Sequence, residues 1–234
     1  MKAIKTIVGV FLVALLSACG GGGGGGAVVA SGPVTSTLSF PLQSALSAYV
    51  AAGASKSFTI SGTCSGSASL TQAAASGGAT FEGVSGRLSA VRTFTINFTN
   101  CTPSSSASTS TLYYDTNYVP LGSSTVGTNY GVYLTPPTVL PSVMVGSTGI
   151  IGTQTLYTDS TKAVAAGRTD VSYVVEADTA NTAIVNLIGK VYNASGVLTA
   201  TGQDRYRIGS TGAPTLISID VQYANGSTNR LIFQ

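Results

Sequence analysis

The chain contains no histidine and no tryptophan, and only 8% of its 234 residues are charged. Histidine is the usual general base and the commonest metal ligand, so its absence argues against most acid–base and metal chemistry. No His-Glu-x-x-His, Gly-x-Ser-x-Gly or Ser-x-x-Lys motif occurs. Lysine and arginine form no basic run, which argues against nucleic acid as a partner. We therefore expect no cofactor, no metal and no catalytic residue.

Long hydrophobic runs are also scarce. Ile7 to Leu16 is an unbroken stretch of apolar residues and glycine, preceded by Lys2 and Lys5. Ten residues are too few to span a bilayer, which takes roughly 20, but they suit the apolar region of a secretory signal. Residues 1–18 are predicted to be a signal peptide.

The sequence Leu16-Ser17-Ala18-Cys19 resembles the bacterial lipobox, in which a peptidase cuts before a cysteine that then receives lipid. Cys19 is thus the expected lipidation site, carrying palmitate or a similar acyl chain. Gly20 follows, where the Gram-negative signal for inner-membrane retention usually has Asp. We therefore expect export to the outer membrane, on its periplasmic or cell-surface face.

Residues 19–33 are predicted to be a linker, because seven successive glycines (20–26) cannot form a core or a stable helix. No strand precedes this run and no Gly-Lys-Ser/Thr ends it, which excludes a phosphate-binding loop. Residues 16–26 resemble those of uncharacterised proteobacterial lipoproteins in which polyglycine follows the lipidated cysteine. The resemblance implies a location and a membrane attachment, and it carries no catalytic residue.

Cys64 and Cys101 are the two remaining cysteines. In an exported protein such a pair favours a disulfide. Phe58-Thr59-Ile60 leads into Cys64 and Phe94-Thr95-Ile96 leads into Cys101, which predicts neighbouring strands in one sheet. The alternative is a cysteine nucleophile in Gly62-Thr63-Cys64-Ser65-Gly66, which lacks a histidine partner.

Residues 34–234 are expected to form one mainly β domain, which would be an antiparallel meander, sandwich or partly open barrel. Three prolines lie in residues 135–141, which are a possible seam between subdomains. Helical spacing of apolar residues predicts one helix over 42–52, ending at Gly53. Residues 102–110 are predicted to be a polar loop, and Asn225-Gly226 is a type I′ hairpin signal. Alternation and turn residues predict strands over 56–63, 79–84, 88–100, 111–119, 130–134, 150–158, 171–178, 182–192, 197–208, 216–223 and 229–233.

Two groups of residues are candidates for ligand binding. Arg205 and Arg207 share one strand face, and Glu176 and Asp178 share a face two strands away; the arginines could bind an anion or glycan, or pair with these carboxylates in a solvated ladder. Tyr113 and Tyr114 could stack on a carbohydrate, or cap a β core.

The sequence favours a non-enzymatic structural or binding module of the cell envelope that is held to the membrane by lipid. Its expected partner is a glycan or an envelope protein. One alternative is a histidine-independent glycan or peptidoglycan hydrolase using a carboxylate pair, although no spacing selects a pair. The other is a subunit of a secretion or pilus-like assembly that accepts a partner at an exposed edge strand.

Overall fold

The computed structural model describes residues 33–211, 214–224 and 229–234. The predicted signal peptide, Cys19, nearly all of the linker and the Asn225-Gly226 turn lie outside these residues. Within them, no helix has the length and apolar character needed to cross a bilayer.

In the described part of the chain, one helix precedes thirteen strands that pair antiparallel throughout. The elements are α1 (Leu42–Ala52), β1 (Ala54–Gly62), β2 (Gly66–Gln72), β3 (Ser76–Phe81), β4 (Val84–Phe98), β5 (Ser105–Tyr114), β6 (Pro120–Thr125), β7 (Asn129–Tyr133), β8 (Thr148–Tyr157), β9 (Ala165–Ala177), β10 (Thr182–Asn193), β11 (Leu198–Gly209), β12 (Thr215–Tyr223) and β13 (Arg230–Phe233).

The sheet closes into a barrel of twelve strands. From β4 to β13 each strand pairs with the next in sequence; β13 then pairs with β1, β1 with β2, and β2 with β4. Among the described strands, β3 pairs only with β4 and lies outside the ring. The predicted β domain with one helix is thus confirmed, and the closure satisfies the backbone groups that a sandwich or an open barrel would leave at its edges.

The inner face of the barrel carries the core. In β9, β10 and β11 the paired residues Val175, Val185 and Tyr206 are all at most 3% exposed and belong to one apolar cluster. β10 is buried on both faces from Ala183 to Gly189, as expected for a strand that is apolar on both sides. This cluster includes residues of α1 and of most barrel strands, whereas Tyr130 and Val132 of β7 form a separate cluster with Phe81 of β3.

Helix α1 packs against the inner face at one end of the barrel. Its buried side chains are Leu42, Ala45, Tyr49 and Val50, and the Tyr49 ring meets the Tyr206 ring of β11 edge-on at 5.2 Å. Gly53 ends the helix with a φ of 72°, where its amide donates to the Tyr49 carbonyl. The predicted helix is confirmed at both ends.

The segment before the helix is also fixed to this end of the barrel. Phe40 is fully buried and exchanges two backbone hydrogen bonds with Val143, in the loop between β7 and β8. Ser36 donates to the carbonyl of Ala180, beyond the end of β9. The chain therefore enters the domain at the end that α1 occupies.

The β3–β4 hairpin folds over the outside of the barrel. Phe81 stacks on Tyr113 at 4.4 Å and lies 5.5 Å from Tyr130. Gly122 lies directly beneath, because a Cβ there would be only 2.5 Å from the Phe81 ring. A side chain at this position would push the hairpin away.

The sequence missed two strands and misplaced a third. β2 and β6 are Ser-, Thr- and Gly-rich, which concealed their alternation. The predicted loop over 102–110 is wrong from Ser105 onward, because Ser105–Tyr114 pairs along its length with β4. The strands that precede the two cysteines, β1 and β4, are also not direct neighbours, since β2 lies between them. Cys64 and Cys101 nevertheless form a disulfide, with a Cα–Cα distance of 5.8 Å, because both follow strands that end at the same rim.

Candidate functional site

A cavity of about 100 Å³ lies between α1 and the inner face of the barrel. The helix contributes Leu46, Tyr49 and Val50, and the loop between β7 and β8 contributes Val139. Most of the accessible wall is carbon. The strand residues that complete it are Gln72, Arg92, Tyr114, Tyr133, Ile151, Val171, Leu187 and Tyr206.

The mouth of this cavity is a wider surface cleft of about 530 Å³. Gln43 and Ser47 of α1, with Asn117 and Tyr118 of the β5–β6 turn, line both spaces. Asp115 shapes that turn by accepting hydrogen bonds from the amides of residues 117 and 119, each at 2.8 Å. The cavity is therefore reached between the helix and this turn.

Two charged side chains lie within the barrel. Arg92 points inward from β4 and donates to the Gln72 side chain at 3.0 Å, while Asp204, on the inner face of β11, is 5% exposed. Burial raises the pKa of Asp204 to about 6, even though the nearby Arg92 charge acts to lower it. Burial alone would lower the pKa of Arg92, but Tyr206, Tyr114 and Asp204 raise it, so Arg92 remains a cation.

The tyrosines around these charges stay neutral. Burial raises the pKa of Tyr114 to about 12 and raises the pKa values of Tyr49, Tyr133 and Tyr206 above the ordinary range. Their hydroxyls are therefore weak acids, and the site offers aromatic rings and neutral hydroxyl groups. It offers no activated nucleophile.

Arg205 and Arg207 lie on the outer face of β11, as the alternation predicted. The Arg207 guanidinium holds Asp178 through two hydrogen bonds of 2.7 and 2.9 Å, and Arg205 lies 3.3 Å from Glu176. This arrangement is the cross-strand ladder that the sequence offered as one alternative. An anion would have to displace these carboxylates, and binding there stays a prediction.

Tyr113 and Tyr114 point to opposite faces of β5. Tyr113 lies outside the barrel under Phe81, whereas Tyr114 is 6% exposed and lines the interior cavity. They do not form one stacking surface. A role in binding therefore stays a prediction for each residue separately, with Tyr114 placed at the cavity.

The carboxylates are distributed over both faces and the loops. Asp204 is interior, whereas Glu176, Asp178, Asp220 and Asp170 pair with arginines. Among the residues that the structure describes, no Asp or Glu lines the cavity or its mouth. Among the described residues, no group of three His, Cys, Asp or Glu side chains could hold a metal ion.

The interior charges were not singled out as site residues from the sequence, although a signal for Arg92 existed. Leu88, Ala90, Arg92, Phe94 and Ile96 alternate along one face of β4, so an arginine falls on an otherwise apolar face. A charge in that position indicates an interior partner. The contribution of α1 to the cavity had no comparable signal.

Comparisons of this chain with protein-family models, with characterised proteins and with solved structures find no match.

Proposed function

We propose that this protein is a lipid-anchored lipoprotein of the bacterial outer membrane whose β domain is a non-enzymatic binding module. The observation that carries the anchor is the order of residues 1–26: a charged start, a ten-residue apolar run, a lipobox and polyglycine. The described fold is compatible with this, because the chain enters the domain from residue 33 at one end of the barrel.

The binding role is supported by the interior of the barrel. A closed scaffold with a preformed, largely apolar cavity and an open mouth is the usual form of a small-molecule site. The carboxylate-pair hydrolase has no comparable support, since the charged residue that lines the described cavity is an arginine, Arg92, and Asp204 is a single enclosed carboxyl group elsewhere in the barrel.

Lipidation is tested by growing cells with labelled palmitate and isolating the protein. We expect label in the wild-type chain, its loss in Cys19→Ala, and its retention in the matched cysteine variant Cys64→Ala. Fractionation of the same cells should place the labelled protein in the outer membrane. Label retained in Cys19→Ala, or wild-type protein recovered only in soluble fractions, would overturn the anchor.

Assembly with an envelope protein is a second candidate, and one observation favours it. Within residues 33–211, 214–224 and 229–234, β3 has a single partner strand and so presents an unpaired edge, whereas the barrel strands are paired on both sides. A partner that adds a strand there should be lost from pull-downs with Thr80→Lys, on β3. It should be retained with Thr59→Lys, an exposed position on β1, which is paired on both sides. Equal recovery with both variants would exclude β3 as the binding edge.

A further inference from the structure

The size of the interior cavity restricts what it can hold. An apolar cavity of roughly 150 Å³ in another protein accommodates one benzene ring. The cavity here, at about 100 Å³, is in the range of a single small ring and is too small for an acyl chain or a sugar chain. The adjoining cleft allows a substituent to extend outward between Ser47 and Asn117.

The walls favour an aromatic ring. Tyr49 and Tyr206 present ring surfaces to the cavity, and their edge-on contact at 5.2 Å shows the packing that a further ring could join. Leu46, Ile151 and Leu187 supply aliphatic contacts on other sides. Such walls bind by excluding water and by dispersion.

The charge state of the interior argues against a charged ligand. Asp204 and Arg92 already bring one negative and one positive group into the barrel, and each influences the other. An added carboxylate would leave the interior with an unbalanced charge, which costs several kcal/mol when buried. An uncharged ring adds no such cost.

We propose that the cavity between α1 and the barrel wall binds one small, uncharged, single-ring aromatic molecule. The proposal rests on the binding role proposed above, but not on the lipid anchor. Residues of α1, the β7–β8 loop and the barrel strands surround the ring, and the mouth at the β5–β6 turn admits it.

The test uses toluene as the probe and the full lipidated chain in detergent. Val139→Trp places a large ring in the cavity, whereas Leu140→Trp places the same ring at a neighbouring position that is 43% exposed. The chain has no tryptophan of its own, so emission reports directly whether residue 139 is enclosed. Partition of toluene into micelles is the same for both variants, so differences between them report the cavity.

We expect toluene to bind the wild type and Leu140→Trp with a Kd on the order of 0.1–1 mM, and to raise the melting temperature of both. Binding to Val139→Trp should be at least tenfold weaker, and benzoate should bind the wild type at least tenfold more weakly than toluene. If Val139→Trp does not fold, Ile151→Phe and its exposed neighbour Ile150→Phe repeat the comparison.

Three results would overturn the inference: no toluene binding to the wild type at millimolar concentration, equal binding to the filled and exposed variants, or tighter binding of benzoate than of toluene. If the chain carries no palmitate label but still binds toluene, only the proposed lipid anchor is overturned.

Discussion

Two of the arginine–aspartate combinations in this sheet differ in location, since one lies inside the barrel and the other outside. Inside, Asp204 lies near Arg92, and burial raises the pKa of the carboxyl group to about 6. Outside, the Arg207 guanidinium bonds Asp178 directly and lowers the pKa of that carboxyl group, against a smaller opposing effect of burial. Relative to the ordinary value of 3.8, the pKa of Asp204 is therefore raised and the pKa of Asp178 is lowered.

The difference shows that the location of a carboxyl group, inside or outside the barrel, influences its pKa more than the identity of its partner does. Enclosed charges lose hydration that one neighbour does not replace. The Arg207 guanidinium is about half exposed and keeps much of its hydration, so its well-aligned contact with Asp178 adds a net attraction. Removing one member of the interior combination should therefore cost more stability than removing one member of the exterior one.

The largest effect is expected from Arg92→Met. It removes the positive charge near Asp204 and the donor to Gln72, and should lower the free energy of unfolding by about 3–5 kcal/mol at neutral pH. Urea denaturation measures this. The double variant Arg92→Met/Asp204→Asn should recover part of the loss, and a double variant less stable than Arg92→Met would contradict a coupling between the two charges.

A somewhat smaller loss in the free energy of unfolding is expected at β8, where substitutions on the two faces of the strand should differ. Ile151 is 7% exposed and lines the cavity, while Ile150 is 80% exposed. Ile151→Ala should cost about 2–4 kcal/mol and Ile150→Ala less than about 0.5 kcal/mol. Equal losses by urea denaturation would mean that Ile150 is covered in the native protein.

The pH dependence of the free energy of unfolding should reveal the raised pKa of the interior Asp204. Between about pH 4 and 6, folded Asp204 keeps a proton that the unfolded chain has released, so its contribution to stability falls as pH rises, by up to about 3 kcal/mol in total. Denaturation at several pH values should show this slope in the wild type and lose it in Asp204→Asn. Asp178→Asn should keep the slope, because the lowered pKa of Asp178 affects stability only below about pH 4. A slope unchanged in Asp204→Asn would show that another group titrates there.

The smallest effect is expected on the outer face. Arg207 is about half exposed, so Arg207→Met should change the free energy of unfolding by less than about 1 kcal/mol and by less still in high salt. Thermal denaturation at low and high salt measures both. A loss as large as that of Arg92→Met would contradict the distinction between the two faces.

Much of the C-terminal half could be predicted from the sequence. Alternating residues such as Ile219, Val221 and Tyr223 and short polar links gave the strands from β8 to β13 to within a few residues, except that β9 begins earlier than predicted, at Ala165. The N-terminal half was harder, because β2 and β6 are rich in small polar residues: in β2 these lie on the outer face, and in β6 Gly122, Ser123 and Thr125 are themselves the buried residues. Their strand structure depends on neighbours such as β4 and β5, which local patterns do not reveal.

The sequence by itself determined the β class, the helix from Leu42 to Ala52 and the face on which Arg205 and Arg207 lie, because these follow from local periodicity. It also gave the anchor at Cys19 as a prediction from local order. Only the tertiary structure decided that β2 and β4 close the barrel, that α1 occupies one end, and that Arg92 and Asp204 share the interior. The last two of these features bring together residues more than a hundred positions apart, and all three depend on a ring of strands that local patterns do not reveal.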